Sequence, residues 1–204
     1  MQVTKTKQDF YTIMEQRRSV RVLGNKELLS QEQLEEVVGR VLRLTPTAFH
    51  AQEQRLVLLL GERHTWFWDL LKGKLKSLVS ADEFPETENK LKGFASGIGT
   101  ILLYQDTDTT KRLQEQFHIY KDNFPKWAEQ ASGMLKYTLW TSLVAEGYGV
   151  SLQHYTELIE QDVKETLNIS DAWRMVGQIP FGTPEETPAQ NEFMPLKEQL
   201  LIFS

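Results

Sequence analysis

The sequence predicts a single α+β domain in which helices outnumber strands. Three short apolar runs have the length of buried strands, and they lie at residues 55–60, 99–104 and 173–179. The longer segments between them repeat apolar residues at helical spacing. The 204 residues contain no internal repeat and no second domain boundary, so we expect one domain over residues 1–204.

Composition narrows the classes of function. Hydrophobic residues make up 40% of the chain and charged residues 25%, which is typical of a globular protein. The absence of cysteine excludes disulfides, thiol catalysis, iron–sulfur clusters and cysteine-bound zinc. A net charge of −5 leaves no broad positive field, so we expect no nucleic-acid partner. The first residues lack a signal-peptide core and every apolar run is too short to span a bilayer, which predicts a cytoplasmic protein that does not bind membranes.

The first two predicted helices have recognisable ends. Asp9 is a candidate N-cap, and the helix that follows it ends at the basic segment 17–21. The second helix begins with a capping box of Ser30 and Gln33 and should end before Pro46, because proline disfavours helical geometry in the residue before it. Its apolar stripe comprises Leu34, Val37, Val38, Val41 and Leu42.

The middle of the chain alternates strands with helices. After the first predicted strand, helical spacing resumes through residues 66–78. Residues 81–92 are charged and include Pro85, so we expect a loop or lid there. The second strand is followed by a polar helix over residues 107–117.

The longest predicted helix covers residues 126–146 and ends at Gly147. Residues 150–155 should be extended, and residues 156–167 should form the next helix. The last 25 residues contain four of the seven prolines and finish in the apolar, β-prone segment 200–203. Such a segment must be buried somewhere, and a second subunit is one candidate.

Several families of site are absent from the sequence. It has no Walker A motif, its two G-x-G segments hold leucine where a dinucleotide fingerprint needs a third glycine, and residues 149–153 lack the final glycine of a nucleophile elbow. The four histidines are isolated, so we expect no metal site and interpret each as a surface residue or a hydrogen-bonded core residue: His50, His64, His118 and His154.

One basic segment carries a positive signal. Residues 17–21 read Arg-Arg-Ser-Val-Arg, which places three guanidinium groups and a hydroxyl where they can bind a phosphate or another planar anion. The alternative is a solvated basic helix end. Residues 45–52 then supply small and polar side chains and a turn fixed by proline directly before a strand, where backbone can approach a flat ligand. The alternative there is an ordinary connection from helix to strand.

The order of these motifs resembles the FMN-dependent nitroreductase family. The resemblance begins with R-R-S-x-R at the end of the first helix and continues with a P-[ST]-x-x-x-x-Q loop before an apolar strand. It is closest to the compact bacterial and fungal subgroup, in which a G-x-x-x-S-L-Q-H-Y segment follows the long helix, here residues 147–155. Residues 177–184 and the dipeptide Pro195-Leu196 resemble later parts of the same pattern.

The resemblance implies a central, mostly antiparallel sheet flanked by helices, and a homodimer whose C-terminal tail packs on the partner subunit. It also implies FMN as the cofactor. The phosphate, ribityl chain and pyrimidine edge would contact Arg17, Arg18, Ser19 and Arg21. The flavin ring would be covered from the partner subunit by Pro46, Thr47, Ala48, His50 and Gln52, and its other edge would contact Leu152, Gln153 and His154.

The reaction implied by the resemblance is a ping-pong transfer of electrons from NAD(P)H to nitroaromatic or quinone acceptors, in a role of defence against chemical stress. The cofactor performs the chemistry, so we expect no indispensable acid–base side chain. A cation such as Arg21 near the ring would stabilise the anionic reduced flavin. Two alternatives remain open: a flavin-binding redox sensor with little turnover, and a non-flavin protein that binds a phosphorylated ligand.

The sequence departs from the family pattern at three positions. His50 stands where asparagine is usual. Asn191 and Phe193 stand where many members carry basic residues on the phosphate. We therefore expect the three arginines to carry more of the phosphate charge, or Lys197 to reach into the site.

Overall fold

A computed structural model of the chain describes residues 9–203. Over this range the chain forms seven α-helices, five strands and three short 3₁₀ turns. The helices are α1 (Phe10–Gln16), α2 (Gln31–Leu44), α3 (Gly61–Lys76), α4 (Phe84–Ala95), α5 (Thr107–Gln116), α6 (Phe124–Ala145) and α7 (Thr156–Leu167). The strands are β1 (Leu23–Gly24), β2 (Gln54–Leu60), β3 (Gly99–Asp106), β4 (Gly149–Val150) and β5 (Trp173–Pro184). The predicted α+β class, with helices outnumbering strands, is confirmed.

The strands form one antiparallel sheet. Its order is β1-β5-β3-β2, and β4 also pairs with β5. Strand β5 is longer than predicted: the sequence predicts an end at residue 179, but the strand continues through Pro180 to Pro184. Pro180 lies opposite Thr100, and its carbonyl still accepts a hydrogen bond from the Ser151 amide at 3.2 Å. Only the amide that proline lacks is missing from the ladder, and this is why the strand continues through it.

Helices cover both faces of the sheet, and β3 shows why its sequence is continuously apolar. Ile101 and Leu103 face α2 and α6, whereas Leu102 and Tyr104 face the layer of α3, α4 and α7. All four side chains are fully buried. Alternate side chains of a strand point to opposite faces, so a strand covered on both sides must be apolar throughout.

The predicted apolar stripes identify the buried faces of the helices. In α2, Leu34, Val38 and Val41 are buried, and the Ser30 capping box is present in full. In α6, the buried side chains recur every three or four residues along one face and include Leu135, Leu139 and Leu143. The predicted limits of α7, 156–167, agree with the structure.

The prediction of a loop or lid at residues 81–92 is wrong. Most of that segment lies in α4, where Pro85 occupies the first turn and the apolar side chains of Leu91 and Phe94 are buried against the sheet. Proline is well tolerated in the first turn of a helix because the amide there has no intrahelical partner. The charged residues form the solvent face of an amphipathic helix rather than a loop.

The C-terminal tail does not form a strand in the described residues after Pro184. Residues 196–198 form a short 3₁₀ turn. The apolar side chains beyond it are exposed, from 50% at Leu200 to 91% at Phe203. No helix within residues 9–203 is long and apolar enough to cross a membrane.

Candidate functional site

The basic segment 17–21 is fixed in place by its neighbours along the chain and in space. Asp9 caps α1 by accepting hydrogen bonds from the amides of Tyr11 and Thr12, at 3.0 and 3.1 Å. After α1 the chain becomes extended, and Ser19 forms a bridge with Val150. The amide of Val20 donates to the Val150 carbonyl at 3.0 Å, and the Val20 side chain is buried. This anchor leaves the flanking arginines facing solvent and the C-terminal segment.

A cleft of about 500 Å³ lies between this segment and residues 186–191. One wall consists of Arg17, Arg18, Ser19 and Arg21. Arg18 Nη2 donates to Asn191 Oδ1 at 2.7 Å and also to the Ala189 carbonyl. The three arginines and Glu186 are the charged residues that line the cleft, so its formal charge is +2.

Glu186 occupies the backbone side of the cleft. Its Oε1 accepts hydrogen bonds from the amides of Arg21 and Val22, at 2.5 and 3.2 Å. Two successive amides that converge on one carboxylate oxygen form an arrangement suited to anions. The cleft therefore already binds one negatively charged group of the chain itself. Sequence reasoning missed Glu186, since nothing local distinguishes it from the adjacent Glu185.

Arg17 is held by an aromatic ring. Its guanidinium lies 4.5 Å from the centre of the Trp140 ring, on the C-terminal half of α6. Cation–π contact of this kind fixes a guanidinium while leaving its N–H donors available. The position of Arg17 therefore depends on α6.

The segment 152–154 continues from the same β4 bridge that anchors Ser19. Gln153 exchanges backbone hydrogen bonds with Gln178 of β5, at 2.8 and 2.9 Å. Partial burial lowers the pKa of His154, and the nearby Lys136 cation lowers it further. Leu152, Gln153 and His154 thus follow within four residues of Val150, the bridge partner of Ser19, although they do not line the arginine cleft.

Lys136 was not among the predicted site residues. It lies in the middle of α6 and is half-buried between that helix, β5 and residues 152–154. The sequence offers only one signal for it, a single lysine on the mostly apolar surface of a long helix.

The loop before β2 has an unusual backbone. Phe49, His50 and Gln52 all have positive φ, at 56°, 52° and 52°. Side chains other than glycine rarely adopt this conformation, and such strain persists only where the surroundings impose it. Thr47 contributes by accepting a hydrogen bond from the Gln52 amide through Oγ1 at 3.0 Å.

Four aromatic rings hold Phe49. Its ring centre lies between 5.0 and 5.9 Å from those of Phe117, Tyr120, Phe124 and Trp127. We call these five residues the aromatic clamp. The clamp fixes the strained loop to the N-terminal end of α6.

The loop and the arginine cleft lie at opposite ends of α6. Phe49 packs on Trp127, whereas Arg17 stacks on Trp140. The two tryptophans lie thirteen positions apart in the α-helix, which is a distance of about 20 Å. Within one chain, Pro46, Thr47, Ala48, His50 and Gln52 are therefore not brought together with the arginines.

The residues that depart from the family pattern have separate positions. Asn191 lines the cleft and bonds to Arg18, while Phe193 is 85% exposed and lies outside the cleft lining. Lys197 lies in the 3₁₀ turn at residues 196–198 and does not line the cleft.

His64 lies in α3, on the face of the sheet opposite α6, and is a hydrogen-bonded core residue. His64 is 2% exposed, and its ring nitrogens contact Thr100 Oγ1 at 2.8 Å and the Ala95 carbonyl at 3.2 Å. Burial lowers the pKa of His64 to about 4. No group of three or more histidines and acidic residues in the described range is placed to hold a metal ion.

The sequence and the fold match a known family. The sequence profile of the nitroreductase family matches residues 14–183. The chain belongs to the nitroreductase family. Two yeast proteins support this: the putative nitroreductase HBN1 of Saccharomyces cerevisiae is 30% identical over 84% of this chain and 83% of its own. The S. cerevisiae nitroreductase FRM2 is 28% identical over 80% of each chain.

Solved structures agree with the fold of this nitroreductase. The nitroreductase CinD from Lactococcus lactis, in complex with nicotinic acid, superposes with a TM-score of 0.89 and 35% identity. The superposition covers 96% of this chain and 100% of CinD. CinD has also been crystallised with chloramphenicol and with 4-nitrophenol. The predicted nitroreductase-like fold is confirmed, and the protein is a flavin-dependent oxidoreductase of this family.

Proposed function

We propose that this nitroreductase uses FMN to pass electrons from NAD(P)H to nitroaromatic or quinone acceptors by a ping-pong mechanism. The observation that carries the proposal is the arginine cleft, joined through the Ser19–Val150 bridge to residues 152–154. The ligands in the CinD crystal structures, which include 4-nitrophenol, support acceptors of the nitroaromatic class. A cytoplasmic location, expected from the sequence, belongs to the same proposal.

The cleft fits the phosphate of FMN. A phosphate monoester carries nearly two negative charges at neutral pH, and the charged residues lining the cleft sum to +2. Arginine binds phosphate oxygens through two parallel N–H bonds. The bond from Arg18 to Asn191 also orders the residue that replaces a basic group of the family pattern.

Bound FMN supplies two-electron redox chemistry between NAD(P)H and the acceptor. The chain contributes binding, orientation and exclusion of water. In this proposal Arg17, Arg18, Ser19 and Arg21 hold the phosphate and ribityl end, and residues 152–154 lie along the ring. No acid–base pair is required, so the proton that completes reduction of a quinone comes from solvent.

A homodimer completes each site. In this proposal the loop of residues 46–52 covers the flavin bound by the partner subunit, because it lies about 20 Å from the arginine cleft of its own chain. The exposed tail, residues 200–203, covers apolar surface of that partner. Exposed apolar side chains on α1 and α6, among them Tyr11, Met134 and Tyr137, provide such a surface.

An absorption spectrum of the purified protein tests the proposal. We expect a yellow protein that bleaches on anaerobic addition of NADH or NADPH and recovers when a quinone or 4-nitrophenol is added. Denaturation should release FMN, identified by chromatography. Slow reduction without repeated turnover would favour a redox sensor, and a colourless protein that does not take up FMN would favour a protein that binds phosphorylated ligands.

A further inference from the structure

Lys136 lies at the junction of the predicted flavin-contacting segments. A Cβ atom built on Gly177 of β5 would lie 3.4 Å from Lys136 Cε and 3.5 Å from Leu152 Cδ1. The lysine stem therefore runs along β5 beside residues 152–154. Trp140, which holds Arg17, is one helical turn further along α6. Lys136 thus stands between the arginine cleft and His154.

The ammonium group of Lys136 has no partner of its own. Within residues 9–203 its Nζ makes no hydrogen bond or ion pair. The one carboxylate that acts on it electrostatically, Glu129, forms its ion pair with Arg174 instead. Arg174 brings only N–H donors. The neutral His154 ring has one acceptor nitrogen, but within residues 9–203 it makes no hydrogen bond to Lys136 Nζ.

Partial burial makes this arrangement unfavourable for the chain alone. Burial lowers the pKa of Lys136, Glu129 opposes that change, and Arg174 adds to it. A half-buried ammonium without an acceptor loses hydration and gains nothing in exchange. The place therefore favours a ligand that presents electron-rich oxygen or nitrogen atoms to the lysine.

We propose that Lys136 binds the electron-rich edge of the flavin ring, apart from the arginines that bind the phosphate. This inference rests on the proposed function. It divides the cations of the site into two groups, one for the phosphate and one for the ring. A cation at the ring edge stabilises the negative charge that the ring gains on reduction, so Lys136 affects the potential as well as the affinity.

A comparison of two ligands separates ring contact from phosphate contact. Riboflavin has the same ring system as FMN and no phosphate. Full-length protein freed of flavin is titrated with each ligand, and Kd is followed by quenching of flavin fluorescence. We expect Lys136→Met to raise both Kd values by about tenfold, since a charged hydrogen bond is lost, and Lys136→Arg to restore most of the affinity. A rise for FMN alone would place Lys136 at the phosphate and overturn the inference.

The reduction potential provides a readout that a structural role would not change. We expect the reduced flavin to lose about tenfold more affinity than the oxidised flavin in Lys136→Met. For a two-electron couple this equals a fall of about 30 mV in the potential of the bound flavin. An unchanged potential would contradict the inference.

The control is Lys76→Met, which removes the same charge from the exposed end of α3 on the other side of the sheet. Its Kd values and potential should equal those of the wild type. Circular dichroism establishes that each variant is folded. A wild-type protein that binds neither ligand would overturn the proposed function together with this inference. A wild type that binds FMN, with an indistinguishable Lys136→Met variant, would overturn this inference alone.

Discussion

The two ends of α6 carry different structures: an arginine cleft at the C-terminal end and a loop held by the aromatic clamp at the N-terminal end. At the C-terminal end, Arg17 stacks on Trp140, and the arginine cleft closes with residues 186–191 of the same chain. At the N-terminal end, the aromatic clamp holds a strained loop that lies about 20 Å along α6 from the arginine cleft. The first end is a charged cleft built by one chain. Under the proposed function, the second end is a preorganised loop that covers the flavin of a partner subunit. On that proposal, the fold of one chain prepares both ends of α6, and association with a second chain completes the flavin site.

The largest expected effect comes from the C-terminal tail, which we propose packs on the partner subunit. Deletion of residues 198–204 removes four exposed apolar side chains, and burial of each contributes about 1.5–3 kcal/mol. If they pack on the partner, the dimer dissociation constant should rise by at least about 1,000-fold. Sedimentation equilibrium measures this constant. A dimer as strong as the wild type would show that the tail has another role.

Acid should lower the free energy of unfolding through His64. This residue lies in α3, on the face of the sheet opposite α6. The folded protein keeps His64 neutral down to a pKa of about 4, whereas the unfolded chain takes up the proton near pH 6.5. The unfolded state therefore binds more protons in this window, and stability falls as pH falls from 6.5 to 4, by about 3 kcal/mol in total. Urea unfolding at pH 7 and pH 5 measures the change. The slope should become smaller in His64→Gln, where the lowered pKa of His154 still contributes, and should keep its full size in His118→Gln, which alters an exposed histidine.

Arg18→Ala tests the end of α6 that one chain completes. It removes a guanidinium that lines the cleft and bonds to Asn191, so the FMN dissociation constant should rise by about 100-fold. Riboflavin affinity should change little, because riboflavin has no phosphate. The dimer should also remain intact. Equal loss for both ligands would show that Arg18 does not bind the phosphate.

Phe49→Ala tests the aromatic clamp. The Phe49 ring is half-exposed but contacts four other rings, so its removal should lower the free energy of unfolding by about 1–2 kcal/mol. Because the loop would also lose its fixed conformation, FMN and riboflavin should bind more weakly by the same factor. Phe49→Tyr keeps the ring contacts and serves as the matched variant. Weaker binding of FMN with unchanged binding of riboflavin would contradict the idea that the phosphate is bound at the arginine cleft and the ring is covered by the clamped loop.

The smallest expected effect is a gain. Glu186→Gln removes the negative charge from the arginine cleft and keeps an oxygen that can accept from the Arg21 and Val22 amides. FMN should then bind a fewfold more tightly, since repulsion between the carboxylate and the phosphate is lost. Isothermal titration calorimetry measures the change, and riboflavin provides the reference. Weaker FMN binding would indicate that the carboxylate supports the cleft rather than competing within it.

Local signals in the sequence predicted most of the fold. The Ser30 capping box and the stripe after it gave α2, and the apolar run of β3 gave a strand covered on both faces. The prediction failed for α4, because its charged residues resembled a loop although Leu91 and Phe94 mark a buried face. β1 has two residues and is defined only by its pairing with β5, so no periodic signal exists for it.

The candidate site was predictable only where its residues are neighbours in sequence. Residues 17–21 form a cluster that can be recognised in the sequence itself. Glu186 meets the Arg21 amide across 165 positions, and Lys136 reaches Gly177 from another element. Contacts at such separations depend on the pairing of strands and the docking of helices, which leave no mark on the local sequence.

Helix α6 connects the arginine cleft near Trp140 with the aromatic clamp near Trp127, so its length sets the distance and angle between them. In the proposed dimer, each copy of this helix would lie near the flavin of its own chain at its Trp140 end and near the partner's flavin at its Trp127 end. One helical segment of about 20 Å would then connect two flavin sites. Insertion of one residue between those tryptophans would rotate one end of the helix against the other by about 100° and would misalign both flavin sites. Among variants of this enzyme, the length of that interval should be far more constant than its composition.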